Sequence, residues 1–350
     1  MYSQGAPGEG IGGYDLQSSA DRSFAFDYDH SGKLDYIVLY RPGAGAIFIL
    51  KNENGTFFPV YKQGAPGIGI GGYDLKSPAD RAFAFDYEHS GKLDYLVFYR
   101  PGNGNVCILK NDNGNFSAVY AQSGIAGFDF LSPDDHAFAF DLDHSGKLDY
   151  IATYRPGTGT FWIIKNVNGT FEAVYHQGDP GFGIGGYDLQ SPADAAIAFD
   201  YDHTGKMDYL VLYRPGNGTI WILKHDGSDF IPVYHQGEPG NGIGIGGFDL
   251  SSPSDSAFAF DYGSTGRQDY LVLYRPGAGL FEILKNTNGT FTPVYGQDPP
   301  GEGIGGYDLR SPADLGYAFD YRQTGKLDHI VLYRPGAGAI FIVEESTASG

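Results

Sequence analysis

The chain is short of cationic charge, of cysteine and of long apolar runs, and each shortage excludes a class of protein. It carries 23 Lys and Arg against 42 Asp and Glu, a formal charge of −19 over 350 residues. A nucleic-acid binder needs a basic face to displace counterions from phosphates, and attachment to anionic membrane surfaces needs the same. This balance argues against both. The single Cys107 excludes an intramolecular disulfide framework and a cysteine-based zinc site. No apolar run approaches the roughly 18–20 residues of a membrane-spanning helix, so no membrane insertion is expected. The first residues, Met1 to Gly8, show neither a basic n-region nor an apolar h-region, and no signal peptide is visible. What is abundant is glycine, at 54 residues, and aromatic side chains, at 15%. A disordered chain has little to bury, so this composition describes a folded, turn-rich protein.

The sequence repeats. Tyr-Arg-Pro-Gly begins at Tyr40, Tyr99, Tyr154, Tyr213, Tyr274 and Tyr333, and an aromatic-Asp pair begins at Tyr14, Tyr73, Phe128, Tyr187, Phe248 and Tyr307. Within every copy the two landmarks are 26 residues apart, whereas the steps between copies are 59, 55, 59, 61 and 59. All length variation therefore falls in the Gly/Pro stretch that follows each copy, which marks it as a surface connection. Inside a unit the periodicity is two. Phe24–Tyr28, Leu34–Tyr40, Ala46–Leu50 and Phe57–Tyr61 read as four strands, with Asn54-Gly55 as a hairpin turn. No amphipathic helix is visible.

Six tandem units of four antiparallel strands predict one all-β domain over residues 1–350, a six-bladed β-propeller. A lone four-stranded sheet cannot bury both faces, but a ring of sheets buries each against its neighbours. The last unit ends after its third strand, and Met1–Gly5 aligns with the end of a fourth. The two termini are thus expected to complete one blade and close the ring.

Between the first two strands lies Asp27-Tyr28-Asp29-His30-Ser31-Gly32-Lys33-Leu34-Asp35. Oxygen side chains at positions 1, 3, 5 and 9 with glycine at 6 follow the logic of a calcium loop. The second copy offers Asp86, Glu88, Ser90 and Asp94, the third Asp141, Asp143, Ser145 and Asp149, and the fourth Asp200, Asp202, Thr204 and Asp208, beside Asp29, Ser31 and Asp35 of the first. The fifth and sixth place Gly263 and Arg322 at position 3, which disfavours a cation. The alternative is that the first and last Asp cap a hairpin through the backbone. At these residues the chain resembles the FG-GAP/VCBS repeats of the integrin α-subunit propeller superfamily, and the resemblance implies Ca²⁺ in the first four loops.

Histidines at 30, 89, 144 and 203 fall in these turns and are expected to be solvated, as are His176 and His235 in the Gly/Pro connections. The Asn-Gly-Thr sequons coincide with hairpin turns, which explain them. Polar residues recur six times without a one-off nucleophile or carboxylate pair, so the expectation is a non-enzyme. Two columns vary between copies. The residue after the Ser-Pro-Ala-Asp segment runs Arg22, Arg81, His136, Ala195, Ser256 and Leu315, and the centre of the third strand runs Phe48, Cys107, Trp162, Trp221, Glu282 and Phe341.

Repeated aromatic and polar groups on a rigid ring suit a multivalent carbohydrate-binding protein, because a sugar needs an aromatic face and fixed polar groups. The chain is similar to the integrin-like propeller lectins of fungi and insect-pathogenic bacteria, which implies glycan sites at or between blades, although those relatives commonly have seven. Candidate residues are Tyr14 and Asp15, Tyr73 and Asp74, Tyr187 and Asp188, Tyr307 and Asp308, with Arg41, Arg100, Arg214 and Arg334 as donors and Trp162 and Trp221 as further aromatics. The alternatives are a protein-binding scaffold and a polysaccharide-active enzyme. A purely structural role for these residues, pairing across blades and packing between them, is the competing view.

Overall fold

The computed structural model describes residues 1–177, 181–237, 242–297 and 301–345. Twenty-four strands form six separate four-stranded antiparallel sheets among these residues. The first complete blade comprises β2 (Arg22–Phe26), β3 (Tyr36–Arg41), β4 (Ala46–Glu53) and β5 (Thr56–Gln63), hydrogen-bonded in that order. The expected strands are all present, with shifted ends. The first stops at Phe26 because Asp27 turns the chain, and the second runs on to Arg41.

The ring closes as expected. Strand β1 (Tyr2–Gln4) pairs with β24 (Ala339–Glu344), which continues through β23 (His329–Arg334) to β22 (Leu315–Phe319). The first strands of successive blades adjoin around the axis, and β22 meets β2.

The core is six wedges. One unites Phe26, Val38 and Ile49 of the first blade with Leu75, Leu96 and Leu109 of the second. The closing wedge joins Ile37 and Leu39 to Val331, Ile340 and Ile342. Each second strand, such as Tyr36–Tyr40, is buried on both faces. That explains its continuous apolar run and ties the stability of each blade to its neighbours.

Near the axis one polar contact recurs at every seam. The Tyr-Arg-Pro-Gly tyrosine reaches into the next blade, where its hydroxyl accepts a backbone N–H: Tyr40 from Ala82, Tyr99 from Ala137, Tyr154 from Ala196, Tyr213 from Ala257, Tyr274 from Gly316 and Tyr333 from Ser23, at 3.0–3.2 Å.

Antiparallel order sorts the connections onto two faces. One carries the Arg-Pro-Gly turns and the aromatic-Asp pairs, here the groove face. The other carries the Asp loops and the Asn-Gly turns, here the loop face. Asn54 and Gly55 both take positive φ, 53° and 86°, the conformation a tight hairpin requires.

Candidate functional site

On the groove face each blade builds the same cluster. Arg41 ends β3 and lays its guanidinium over the Tyr14 ring, 5.5 Å from the centroid. Its Nε and Nη2 donate to both oxygens of Asp21 at 2.7 and 2.9 Å. Nη2 also donates to Asp15. Tyr14 donates its hydroxyl proton to Asp21 at 2.7 Å. The equivalents Asp80, Asp135, Asp194, Asp255 and Asp314 hold Arg100, Arg155, Arg214, Arg275 and Arg334 in the same fork. Stacking survives where Phe128 and Phe248 replace tyrosine, so the ring is the constant requirement and the hydroxyl an addition.

These buried acids, the last residue of each Ser-Pro-Ala-Asp segment or its variants Ser-Ser-Ala-Asp, Ser-Pro-Asp-Asp and Ser-Pro-Ser-Asp, are organising residues that the sequence alone did not single out. Their signal was their constancy beside a column that varies.

The tyrosines differ from expectation. Tyr187 is 0% and Tyr14 3% exposed, so their faces are not on the surface, and burial beside Asp21 pushes the Tyr14 hydroxyl pKa far up. They position the arginine. The exposed group is the second acid. The Asp15 side chain is 56% exposed and that of Asp188 40%. In each copy the protein's bonds go to Oδ1, from the guanidinium and from a backbone N–H two residues on. Oδ2 is left to the groove. The remaining guanidinium nitrogen, Nη1, makes no hydrogen bond within the described residues in Arg41, Arg100, Arg214 and Arg334. Backbone and arginine donors hold the Asp74 and Asp308 carboxyls below the usual range against the opposing effect of burial, so both are charged acceptors.

The varying column of the third strand forms the floor beside this acid and arginine. In the first blade Gly13, Tyr14, Asp15, Arg41, Phe48 and Lys62 surround about 280 Å³. The sixth blade repeats it with Tyr307, Asp308, Arg334 and Phe341. The outer strand covers the floor. Lys62 lies 5.1 Å over Phe48, His176 5.2 Å from Trp162 and His235 5.0 Å from Trp221. His176 and His235 thus belong to the outer strands and the grooves, not to the Gly/Pro connections as expected. Trp162 and Trp221 donate their indole N–H to Gln177 and Gly237 carbonyls, fixing ring and connection together. A Cβ at Gly186 would stand 3.2 Å from Trp221, so glycine there gives the indole room to pack.

On the loop face the first Asp of every loop is engaged by the backbone. Asp27 accepts the N–H of Ser31 at 2.9 Å and of Gly32 at 2.7 Å. Asp86, Asp141 and Asp200 do the same. So do Asp261 and Asp320, despite Gly263 and Arg322. Loop closure therefore needs no acid at position 3. The ninth residue is different. Asp35, Asp94, Asp149 and Asp208 are buried, and each has one oxygen, Oδ1, without a hydrogen-bond partner among the described residues. Burial, then the nearby Asp29 charge, pushes Asp35 up to about 7. Among position-3 acids, Glu88 is held by Tyr95, and Asp143 and Asp202 lie near Tyr150 and Tyr209. Ser90 and Ser145 face their own first Asp, while Thr204 donates to Asp202. No cluster of three or more metal-binding side chains gathers among the described residues.

The loop histidines are not merely solvated. His30, His89, His144 and His203 hydrogen-bond through Nδ1 to Asp94, Asp149, Asp208 and Asp269 of the next blade at 2.7–2.8 Å. They are clasps, and a clasp between copies is invisible inside one repeat.

No protein-family model matches the chain, and no curated protein sequence does. Among solved structures it is similar to an Agrocybe aegerita lectin described for specific recognition of non-reducing terminal N-acetylglucosamine, at 18% identity over 95% of this chain and 81% of that one, TM-score 0.56. It is also similar to a putative 6-phosphogluconolactonase of Bacteroides uniformis and to a Pseudomonas aeruginosa periplasmic gluconolactonase, each at 10% identity over 77% of this chain and 68% of the other, TM-score 0.42. The first likeness bears on the fold alone, and the other two are too distant to carry an argument. The class these observations define is an all-β, six-bladed propeller.

Proposed function

We propose that the protein is a multivalent carbohydrate-binding protein with one site in each groove and no catalytic role. The observation that carries this reading is the pairing, repeated in every groove, of an exposed carboxylate with a guanidinium edge, beside an aromatic floor in four of the six. An acceptor and a donor held side by side suit adjacent sugar hydroxyls, and their fixed partners remove the ordering cost a mobile pair would incur. Sites aimed the same way on a rigid ring suit clustered ligands. The solved lectin of similar fold supplies the first sugar to try, terminal N-acetylglucosamine. The intact protein should bind a surface densely coated with it and be released by millimolar free sugar, with apparent surface affinity roughly 10²–10⁴ above that for free sugar. No binding to dense glycan surfaces and none to free sugars at millimolar concentration would overturn the reading.

The FG-GAP-like reading of the loops adds Ca²⁺ in the first four copies. The unpartnered oxygens of Asp35, Asp94, Asp149 and Asp208 support a cation at the ninth position, with the position-3 acids as further oxygen donors. The first position fits less well, its oxygens being engaged by backbone N–H groups. A bound ion stabilises the folded state it prefers, so calcium should raise the melting temperature over chelator at pH 8. An unchanged melting curve would remove calcium from the account.

A further inference from the structure

The column Arg22, Arg81, His136, Ala195, Ser256 and Leu315 departs from the sixfold repetition around the axis, at the groove-face mouth of the channel that the six first strands line, with Phe24, Phe83 and Ile197 on its wall. These residues open the first strands. Each stands opposite the seam tyrosine of its own blade, Arg22 opposite Tyr40, Arg81 opposite Tyr99 and His136 opposite Tyr154. Three consecutive stations of the ring are basic or imidazole, and three are small or apolar.

Neither arginine is neutralised. Arg22 donates only to carbonyls of its own turn, Ser19 at 3.2 Å and Asp21 at 2.9 Å. Arg81 Nη1 lies 2.6 Å from Nδ1 of His136, which burial and the Arg81 charge keep neutral. No ion pair engages Arg22 or Arg81 among the described residues, whereas Arg41, Arg100, Arg155, Arg214, Arg275 and Arg334 all grip carboxylates. Arg267 and Arg310 likewise make no ion pair among the described residues, but Arg22 and Arg81 stand at equivalent positions of adjacent blades, in a chain with 42 acids and 23 Lys and Arg.

The same half of the ring is rich in unused donors. Tyr40, Tyr99 and Tyr154 are at most 4% exposed. Each hydroxyl accepts a backbone N–H, and none has a protein acceptor for its own proton among the described residues. On the other half Ser256 stands opposite Tyr274 and next to Ala257, whose N–H Tyr213 accepts, and Tyr333 reaches across the closing seam to Ser23, beside Arg22, with no acceptor for its own proton among the described residues. Guanidinium charge and buried O–H donors without acceptors converge on an anion.

We propose that the channel mouth at Arg22, Arg81 and Tyr40 binds a small oxyanion, a carboxylate or a sulfate-like group, apart from the six grooves. The anion comes from free salt or from an acidic sugar. Titration of the intact protein with sodium sulfate, with chloride keeping ionic strength constant, should show saturable binding that weakens at least tenfold in Arg22→Gln and in Arg81→Gln. Binding of neutral sugars in the grooves should be unchanged, which separates this claim from the lectin reading. Glucuronate against glucose distinguishes the sources: competition between glucuronate and sulfate assigns the site to a sugar-borne anion, and sulfate binding without glucuronate binding assigns it to a free one. Should Arg81→Gln fail to fold, Arg22→Gln decides, because Arg22 is exposed and its hydrogen bonds among the described residues stay within its own turn. Absence of saturable binding by sulfate, phosphate and glucuronate, or unchanged sulfate affinity in Arg22→Gln and every folded Arg81→Gln preparation, would overturn the proposal.

Discussion

The two faces of the ring are built from the same residue types and do opposite jobs. On the groove face the arginine–carboxylate contacts stay within one blade: Asp194 lies 20 residues from its Arg214 and 7 from its Tyr187. On the loop face they cross seams, as when His89 reaches Asp149 and Asn166 of the following blade. The first face makes six self-contained side-chain clusters, and the second fastens neighbours together. A groove can therefore change its floor, as Cys107 and Glu282 do, without opening the ring. A changed loop-face residue weakens a seam.

The largest expected effect lies in the groove cluster. Asp194→Ala leaves Arg214 buried without its fork and Tyr187 without its acceptor. A loss of about 3–5 kcal/mol is expected, read by urea unfolding, and a loss below 1 kcal/mol would show that the cluster is decorative. Asn111→Ala on the loop face is next. Its amide bridges the Tyr28 carbonyl of the preceding blade at 2.6 Å and the Gly114 N–H at 2.8 Å of its own turn. About 1–3 kcal/mol should be lost, with faster amide exchange on both sides of that seam if the contact fastens blades.

Smaller effects separate the faces by pH. Burial, with the Arg81 charge second, pushes the His136 imidazole down to about 3. The unfolded chain takes that proton first, so this stability is complete above about 6.5 and is lost progressively as pH falls toward 3. Asp35, raised to about 7 by burial and by Asp29, runs the other way. The native state holds its proton more tightly, so its contribution is complete below about 4 and is lost as pH rises through 7. Unfolding midpoints from pH 4 to 9 in chelator should therefore lose part of their acid slope in His136→Gln and part of their neutral slope in Asp35→Asn. Wild-type slopes in both variants would contradict these assignments.

The smallest expected effect is a difference between seams. Ser264 stands where the first four copies have the clasp histidine, and Asp328 bonds to its neighbour His329 instead. Amide exchange should be faster at the seam between the fifth and sixth blades than at the seam between the second and third. Equal protection would show that the histidine clasps add nothing to the hydrophobic wedges.

Repeat count, strand period and the matching termini made the ring, its closure and the separation of the two faces legible in the sequence. The Asp and Arg of four of the six groove clusters were legible too, because both recur at fixed spacing, while those of the third and fifth copies, where Phe128 and Phe248 replace tyrosine, were not named. The tyrosines were named for the wrong role, since composition cannot distinguish a ring that faces solvent from one lying under an arginine. Asp21 and its equivalents were passed over for a related reason. Their importance lies in what they bring together, residues 7 upstream and 20 downstream, and that convergence is set by tertiary packing. Histidine clasps escaped because their partners sit a full repeat away.

The most direct test of the central claim is binding to a densely glycan-coated surface, with free monosaccharide as competitor, by wild type and by a variant carrying Asp→Asn at positions 15, 74, 129, 188, 249 and 308. These changes remove the charged acceptor from every groove and leave the buried forks in place. Wild type should bind and be released by sugar, while the variant, folded by its circular dichroism and melting curve, should lose surface binding by at least a hundredfold. Equal binding by both proteins, or by neither, would contradict the account.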